Sequence, residues 1–273
     1  MGNNILDDQI FKMYSSSVAR RKSSSENIAV LNKITSEISA SVTADKKNLV
    51  IFDIDSTLLD TSYRTGGIFK EFARHPLHKE TYPKLCKAIS RWHETVEVYN
   101  PIGFVNHHSG ITIDENSDTA KYLLSYWKKR FFNPDWLCQD LPYWGAQEFT
   151  AKCLELGADI AYLTGREDKT LREDTLRSLA THRFPFEMNS KRTRLMLKSS
   201  ASIKDIIYKD EGLKELKSGY DNVYYIENEV ELVIMAMKNH PDIQTYLYDS
   251  VHSGRASLGE LKPNLISGWS LEV

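Results

Sequence analysis

The segment Asn48-Leu-Val-Ile-Phe-Asp53-Ile-Asp55-Ser-Thr57-Leu-Leu constrains this chain more than any other, because an apolar run of strand length ends in two carboxylates spaced i, i+2. Side chains two apart on a strand share a face, so Asp53 and Asp55 are expected together at the carboxyl end of a buried strand. Like charges repel there unless a cation or a reacting phosphate holds them. Such a pair points to chemistry rather than to stability.

The 273 residues suffice for one large α/β domain or for a core with an inserted second unit. Residues 1–47 are polar and Ser-rich, with Arg20-Arg21-Lys22 ahead of Ile28, Leu31, Ile34 and Ile38 at helical spacing. That pattern predicts a frayed start and then a helix packed on the core, with the basic triplet as solvated surface. After the first strand, at 48–54, residues 62 to 140 show helical patterns broken at Pro76, Pro83, Asn100-Pro101 and Asn133-Pro134, and read as an insertion. Beyond it the spacing predicts helices over 143–156, 168–181, 203–216 and 230–239. They alternate with strands at 158–163, 194–197, 222–226 and 243–248. Alternation of this kind implies a parallel sheet covered on both faces, a doubly wound α/β core. The expected organisation is an N-terminal extension at 1–47, a core at 48–62 and 141–273, and a helical cap at 63–140.

A net charge of −2 offers no global polycation for nucleic acid or an anionic membrane. Cys86, Cys138 and Cys153 are odd in number and widely spaced, which suits reduced thiols better than a disulfide framework or a zinc cluster. No apolar run approaches the roughly 20 residues that span a bilayer. The start lacks a signal-peptide core, and Leu6 breaks the myristoylation pattern that Gly2 opens. A cytoplasmic protein is expected.

Three predicted strands end in polar groups that one site could use: Asp53 and Asp55, then Thr164, then Glu227 and Glu229. In open parallel sheets ligands sit outside the carboxyl ends of the strands, where the strand order reverses. Two or three carboxylates and a hydroxyl form a hard oxygen set suited to magnesium and a phosphate-bearing partner. The turn at Gly165, where a helix is expected to begin, would free N–H groups for an anion. Other motifs fail. Counted from Asp53, an EF-hand would need Gly at Leu58 and Glu at Arg64, a P-loop would need glycines at Leu163 and Asp168, and the Rossmann glycines are missing. His75-x-x-His78, expected in a loop, and His107-His108 lack metal spacing. Trp92, Trp127, Phe131, Phe132, Trp136 and Trp144 suit a small core in the insertion, or stacking on a base or sugar.

Asp53-x-Asp55-x-Thr57 after an apolar strand, Thr164-Gly165 after a second, a lysine in a later helix and an acidic pair after the next strand resemble the four motifs of the haloacid dehalogenase-like phosphohydrolases. Leu163-Thr-Gly-Arg166, Tyr225-Ile-Glu-Asn-Glu229 and His252-Ser-Gly-Arg255 are similar to forms in bacterial members. Ser56 stands where glycine is usual, and Glu227 where aspartate is commoner. The resemblance implies a magnesium-dependent phosphatase with Asp53 as nucleophile and Asp55 as acid and then base. It further implies magnesium held by Asp53, the Asp55 carbonyl and Glu227, with Thr164 and the Gly165 N–H on the transferring oxygens. Tyr208-Lys209-Asp-Glu best matches the pattern around the motif lysine, with Lys204 second and Lys198 a third candidate; Asp205, one turn before Lys209, offers a surface ion pair as the plainer reading. Asn228 and Glu229 would support the metal, and His252 and Arg255 would reach a substrate phosphate. The expected partner is a phosphorylated small molecule. Rival readings are an end-healing phosphatase of nucleic acids, suggested by the basic stretch Lys191 to Lys217, and a phosphate-sensing module without turnover.

Overall fold

The computed structural model describes residues 24–92 and 97–271; Gly2, Leu6 and the Arg20-Arg21-Lys22 triplet lie outside the described residues. Helix α1 (Ser25–Thr43) starts where the Ser24 side chain accepts the Asn27 N–H, and it buries Leu31, Ile34 and Ile38 in the main core. Strand β1 (Asn48–Phe52) is buried along its whole length. It is followed by two-residue β2 (Leu59–Asp60) and by α2 (Ser62–Arg74), α3 (Pro76–Thr81), α4 (Pro83–Ile89), α5 (Pro101–Ser109) and α6 (Asp118–Phe131). A 3₁₀ turn, Pro134–Gln139, leads to β3 (Leu141–Pro142), which pairs antiparallel with β2. The helical insertion therefore leaves and re-enters through one two-stranded ladder. Pro76, Pro83, Pro101 and Pro134 open their helices, where the missing N–H would have no partner anyway.

The chain continues through α7 (Ala146–Glu155), β4 (Asp159–Glu167), α8 (Asp168–Thr181), β5 (Thr193–Lys198), α9 (Asp205–Leu216), β6 (Asn222–Glu227), α10 (Val230–Asn239), β7 (Gln244–Tyr248) and β8 (Asn264–Ile266). One sheet of six strands results, in the order β5-β4-β1-β6-β7-β8, and every pairing is parallel. Successive strands lie to one side of β1 and then to the other, so the carboxyl end of β1 marks the reversal of strand order. One apolar core fills the face under α1 and α7, a second the face under α9 and α10, and the insertion has its own around Phe69, Phe72, Phe104 and Leu123.

Several expectations need adjusting. β4 runs on to Glu167 rather than stopping at 163, because Glu167 pairs with Lys198 after a register shift beyond Thr164. His78 lies in a helix, not a loop. It is buried, stacked on Phe72 and bonded to the Phe72 carbonyl and the Tyr122 hydroxyl. Trp144 lies beyond β3, outside the insertion. No described helix is long and apolar enough to cross a membrane.

Helix α9 comes unusually close to the sheet. Its buried stripe is Lys209, Gly212, Leu213 and Leu216, and a Cβ on Gly212 would sit 2.8 Å from Leu163 Cδ1 in β4. Gly212→Ala is expected to destabilise by about 1 kcal/mol, overpacking of roughly 1–3 kcal/mol exceeding the roughly 1 kcal/mol an alanine gives a helix. A urea titration with an unchanged or higher midpoint would show that the helix has room to spare.

Candidate active site

The parallel register sets the site. Phe52 is level with Tyr162 on one side and Ile226 on the other, so the residues just beyond, Asp53, Thr164 and Glu227, collect at one rim. The Asp53 N–H donates to the Ile226 carbonyl at 3.0 Å, which extends the ladder to the first carboxylate. A tight turn follows: the Ile54 carbonyl accepts from Leu58 and Leu59, and Ser56 N–H donates to the Leu59 carbonyl at 2.7 Å. Ser56 adopts φ of +61°, so this serine takes the left-handed conformation that glycine adopts without a Cβ clash.

Lys209 is the cation at the centre. The buried stripe of α9 carries its ammonium to Asp53 Oδ1, with which it is in contact, and to Glu227 Oε2 at 2.5 Å. Glu227 is fixed from all sides. Its longer arm folds back so that Oε1 accepts the N–H groups of Asn228 and Glu229, while Oε2 also accepts the Tyr225 hydroxyl at 2.8 Å. Burial, then the charge of Glu227, pushes the Asp53 carboxyl up to about 7 against the pull of Lys209. Burial alone would discharge Lys209, but Asp53 and Glu227 hold its ammonium above the ordinary lysine value.

The other lysine candidates go elsewhere. Lys198 bonds Asp205 at 2.7 Å and the Ile203 carbonyl at 3.2 Å, and Lys204 is exposed at the start of α9. Asp205 therefore pairs with Lys198, not with Lys209 one turn along its own helix. Asp205 also lies over Gly165, where a Cβ would meet its Oδ1 at 2.8 Å. The strand does not end in a turn at Gly165 as expected; β4 carries on past it to Glu167, and α8 begins at Asp168, where that helix was expected. Thr164 is wholly buried, its hydroxyl accepting the Arg166 N–H at 3.3 Å.

Asp55 meets a pair of arginines that the sequence reading passed over. Arg166 donates Nε and Nη2 to its two oxygens, both at 2.8 Å, and Arg64 Nη2 reaches Oδ1 at 2.6 Å. Burial acts to raise the Asp55 carboxyl, yet Arg166 and then Arg64 hold it well below the usual carboxylate range. Both arginines also bond Asp140, which ends the insertion and is itself pushed up by burial against their pull. The signal for Arg64 was present: it stands four before Ile68 and eight before Phe72, a charge on the apolar stripe of α2.

The loop after β7 closes the rim. Ser250 Oγ donates to the Ser56 carbonyl at 2.5 Å, Asn228 Nδ2 to the Val251 carbonyl at 2.6 Å, and Ser253 gives Glu229 both its N–H and its hydroxyl. Thr57 donates to Asn228 at 3.1 Å. Asn228 and Glu229 thus tie loops together. His252 accepts the Gly254 N–H, and Arg255 is exposed, with no hydrogen bond or ion pair for its guanidinium among the described residues.

The donor set fits magnesium. Asp53 and Glu227 converge on one cation, Lys209, and two carboxylates are a sparse hard-oxygen set of the kind that leaves this metal its waters. Among the described residues no group of three or more His, Cys, Asp or Glu side chains forms a ready cage. Without metal, the raised Asp53 makes folding less favourable above about pH 7 and costs nothing below about pH 4, since the native state binds the extra proton only between those limits. In EDTA, Asp53→Asn is therefore expected to be more stable than the native chain near pH 8, by up to a few kcal/mol, to unfold at a correspondingly higher temperature, and to lose that advantage near pH 4. Melting curves at the two pH values check the sign.

No family model matches the sequence, and no curated protein matches it. Solved structures do. A Clostridium difficile protein assigned as a phosphatase aligns over 82% of this chain and 95% of its own, at 13% identity and a TM-score of 0.50. Protein tyrosine kinase A of Mycobacterium tuberculosis aligns over 81% and 94%, at 14% identity and 0.51. A haloacid dehalogenase-like family hydrolase of Streptococcus pneumoniae aligns over 80% and 92%, at 14% identity and 0.47. Names as different as phosphatase and kinase at similar scores leave function to the site. The likeness is one of architecture: the chain shares its α/β fold, here built on a six-stranded parallel sheet, with the Clostridium difficile and Mycobacterium tuberculosis proteins.

Proposed function

We propose that this protein is a magnesium-dependent phosphohydrolase that cleaves a phosphate monoester through an aspartyl-phosphate on Asp53. The observation that carries the reading is the convergence of Asp53, Glu227 and Lys209 at the carboxyl end of β1, with Asp55 held beside them by its own cations.

Asp53 Oδ attacks phosphorus, the ester oxygen departs, and the phosphoryl group rests on the aspartate; water then breaks the acyl phosphate and restores the carboxylate. Lys209 stays within reach of Asp53 throughout and neutralises charge as it builds on the transferring oxygens. Thr164 and the Gly165 N–H orient those oxygens. Asp55 gives a proton to the leaving oxygen and takes one from the attacking water. Its two arginines keep it ionised, the form that can accept the water's proton, while they weaken it as a base and leave the proton it gives to the leaving oxygen to be acquired as the substrate binds. Magnesium, held by the Asp53 and Glu227 carboxylates and the Asp55 carbonyl, would offset the repulsion between an anionic nucleophile and an anionic phosphate. Arg255, exposed on the loop that Glu229 fastens, would meet a second anionic group of the substrate. The helical insertion, 63–140, would serve as a cap that excludes water and selects the substrate.

A small phosphorylated molecule suits the site better than a nucleic-acid end. Half of the basic residues from Lys191 to Lys217 are spent on the protein itself: Arg192 on Asp159 and two carbonyls, Lys198 on Asp205, Lys209 in the site, Lys217 on Asp242. Steep salt dependence would bring the nucleic-acid reading back. With p-nitrophenyl phosphate and magnesium the native chain is expected to release phosphate, EDTA to stop it, and Asp53→Asn to lower kcat by at least about 10³-fold, a nucleophile having no substitute. A native chain that binds inorganic phosphate without turnover on a panel of phosphorylated metabolites would identify a sensor instead.

A further inference from the structure

Asp140 does not reach the nucleophile. It ends the insertion, one residue before β3, with its side chain wholly buried. Its two oxygens accept Arg64 Nε at 2.7 Å, Arg64 Nη2 at 2.6 Å and Arg166 Nη2 at 3.0 Å. Each of these guanidiniums also bonds Asp55, so each spans the two carboxylates. The arginines are held at their far edges as well. Arg64 Nη1 donates to the Phe131 carbonyl at 2.9 Å and the group lies over the Phe131 ring, while Arg166 Nη1 donates to Thr175 of α8 at 3.3 Å.

The two carboxylates differ in one respect. The Asp55 side chain is 30% exposed and faces the open rim, whereas Asp140 is sealed. One end of the cluster is therefore an anchor and the other is free to work. Three buried charges with a fourth at the rim are a poor way to stabilise a fold, because apolar residues of the same volume commonly do as well or better. Their presence here is better explained by what they do to Asp55.

We propose that Asp140 is a positioning residue for Asp55, acting through the Arg64 and Arg166 guanidiniums. It holds both planes in the orientation that fixes the two Asp55 oxygens, and it balances the second positive charge so that neither arginine is drawn across to Asp53. Because Arg64 and Asp140 stand at the entry and exit of the insertion, the same contacts register the base of that unit on the catalytic turn. The proposal rests on the phosphohydrolase reading only for the task of Asp55; the geometry it asserts can be tested without turnover.

Two measurements decide it. The Arg166 Nε–H bonds Asp55 and not Asp140, so its slowly exchanging NMR signal is expected in the native chain and should broaden or vanish in Asp140→Asn, although its direct partner is untouched. The kinetic test is a double-mutant cycle. Asp140→Asn should lower kcat at least about tenfold with KM changed less than about twofold, and should cost less than about twofold more in an Asp55→Asn background. If Asp140→Asn does not fold, Asp140→Glu keeps the charge, displaces the carboxylate by one methylene and should behave in the same way. An unchanged Arg166 signal, or losses that multiply across the cycle, overturns the positioning role. A native chain with no turnover defeats the phosphohydrolase reading, and the Arg166 signal alone then decides.

Discussion

Carboxylates do not gather in a protein interior unaided, and this fold brings Asp53 and Glu227 together only because Lys209 stands between them. The rest of the rim follows from that requirement. β6 must neighbour β1, α9 must come close enough for a lysine on its buried stripe to reach the sheet end, and Gly212 gives it the room. Glu227 must be turned inward, which its bonds to the next two N–H groups and to Tyr225 achieve. Burial still leaves Asp53 reluctant to ionise, and this is strain of a kind that sites keep when a reactive carboxylate is needed.

The i, i+2 spacing of the two aspartates divides the labour. Asp53 belongs to a network centred on an ammonium, Asp55 to one made of two guanidiniums and a second aspartate. Repulsion between adjacent carboxylates is thus relieved by cations that the protein supplies from opposite sides, Lys209 from α9, Arg64 from α2 and Arg166 from β4. A flexible ammonium would suit a carboxylate that exchanges partners in the proposed reaction. Planar forks suit the one whose angle matters.

Much of this was legible in the sequence because it depends on local periodicity. Helices α8 and α10 fall on the predicted residues 168–181 and 230–239, and β1, β4, β6 and β7 lie where apolar runs end in polar groups. Glu227 could be picked by its place after a strand, whereas Lys209 could be picked from three candidates only through the resemblance to the phosphohydrolase motifs. β2, β3 and β8 could not be read, since two or three residues carry no period and owe their existence to pairing partners elsewhere. The same holds for Asp140 and for the partners of Arg64 and Arg166. Arg166 stood in plain view after Thr164-Gly165, but what it bonds is set by the return of the chain at residue 140, a tertiary fact with no local signature.

The indole of Trp269 donates to the Thr57 carbonyl at 3.0 Å, 212 positions back along the chain. Its ring stacks on Tyr248 and packs against Phe52 and Phe149. A growing polypeptide emerging from the ribosome can build β1, the helical insertion and most of the sheet well before that tryptophan exists. The turn that carries Asp55 is then without its wedge. The acidic turn is therefore completed only once residue 269 has been made and has folded back onto Thr57.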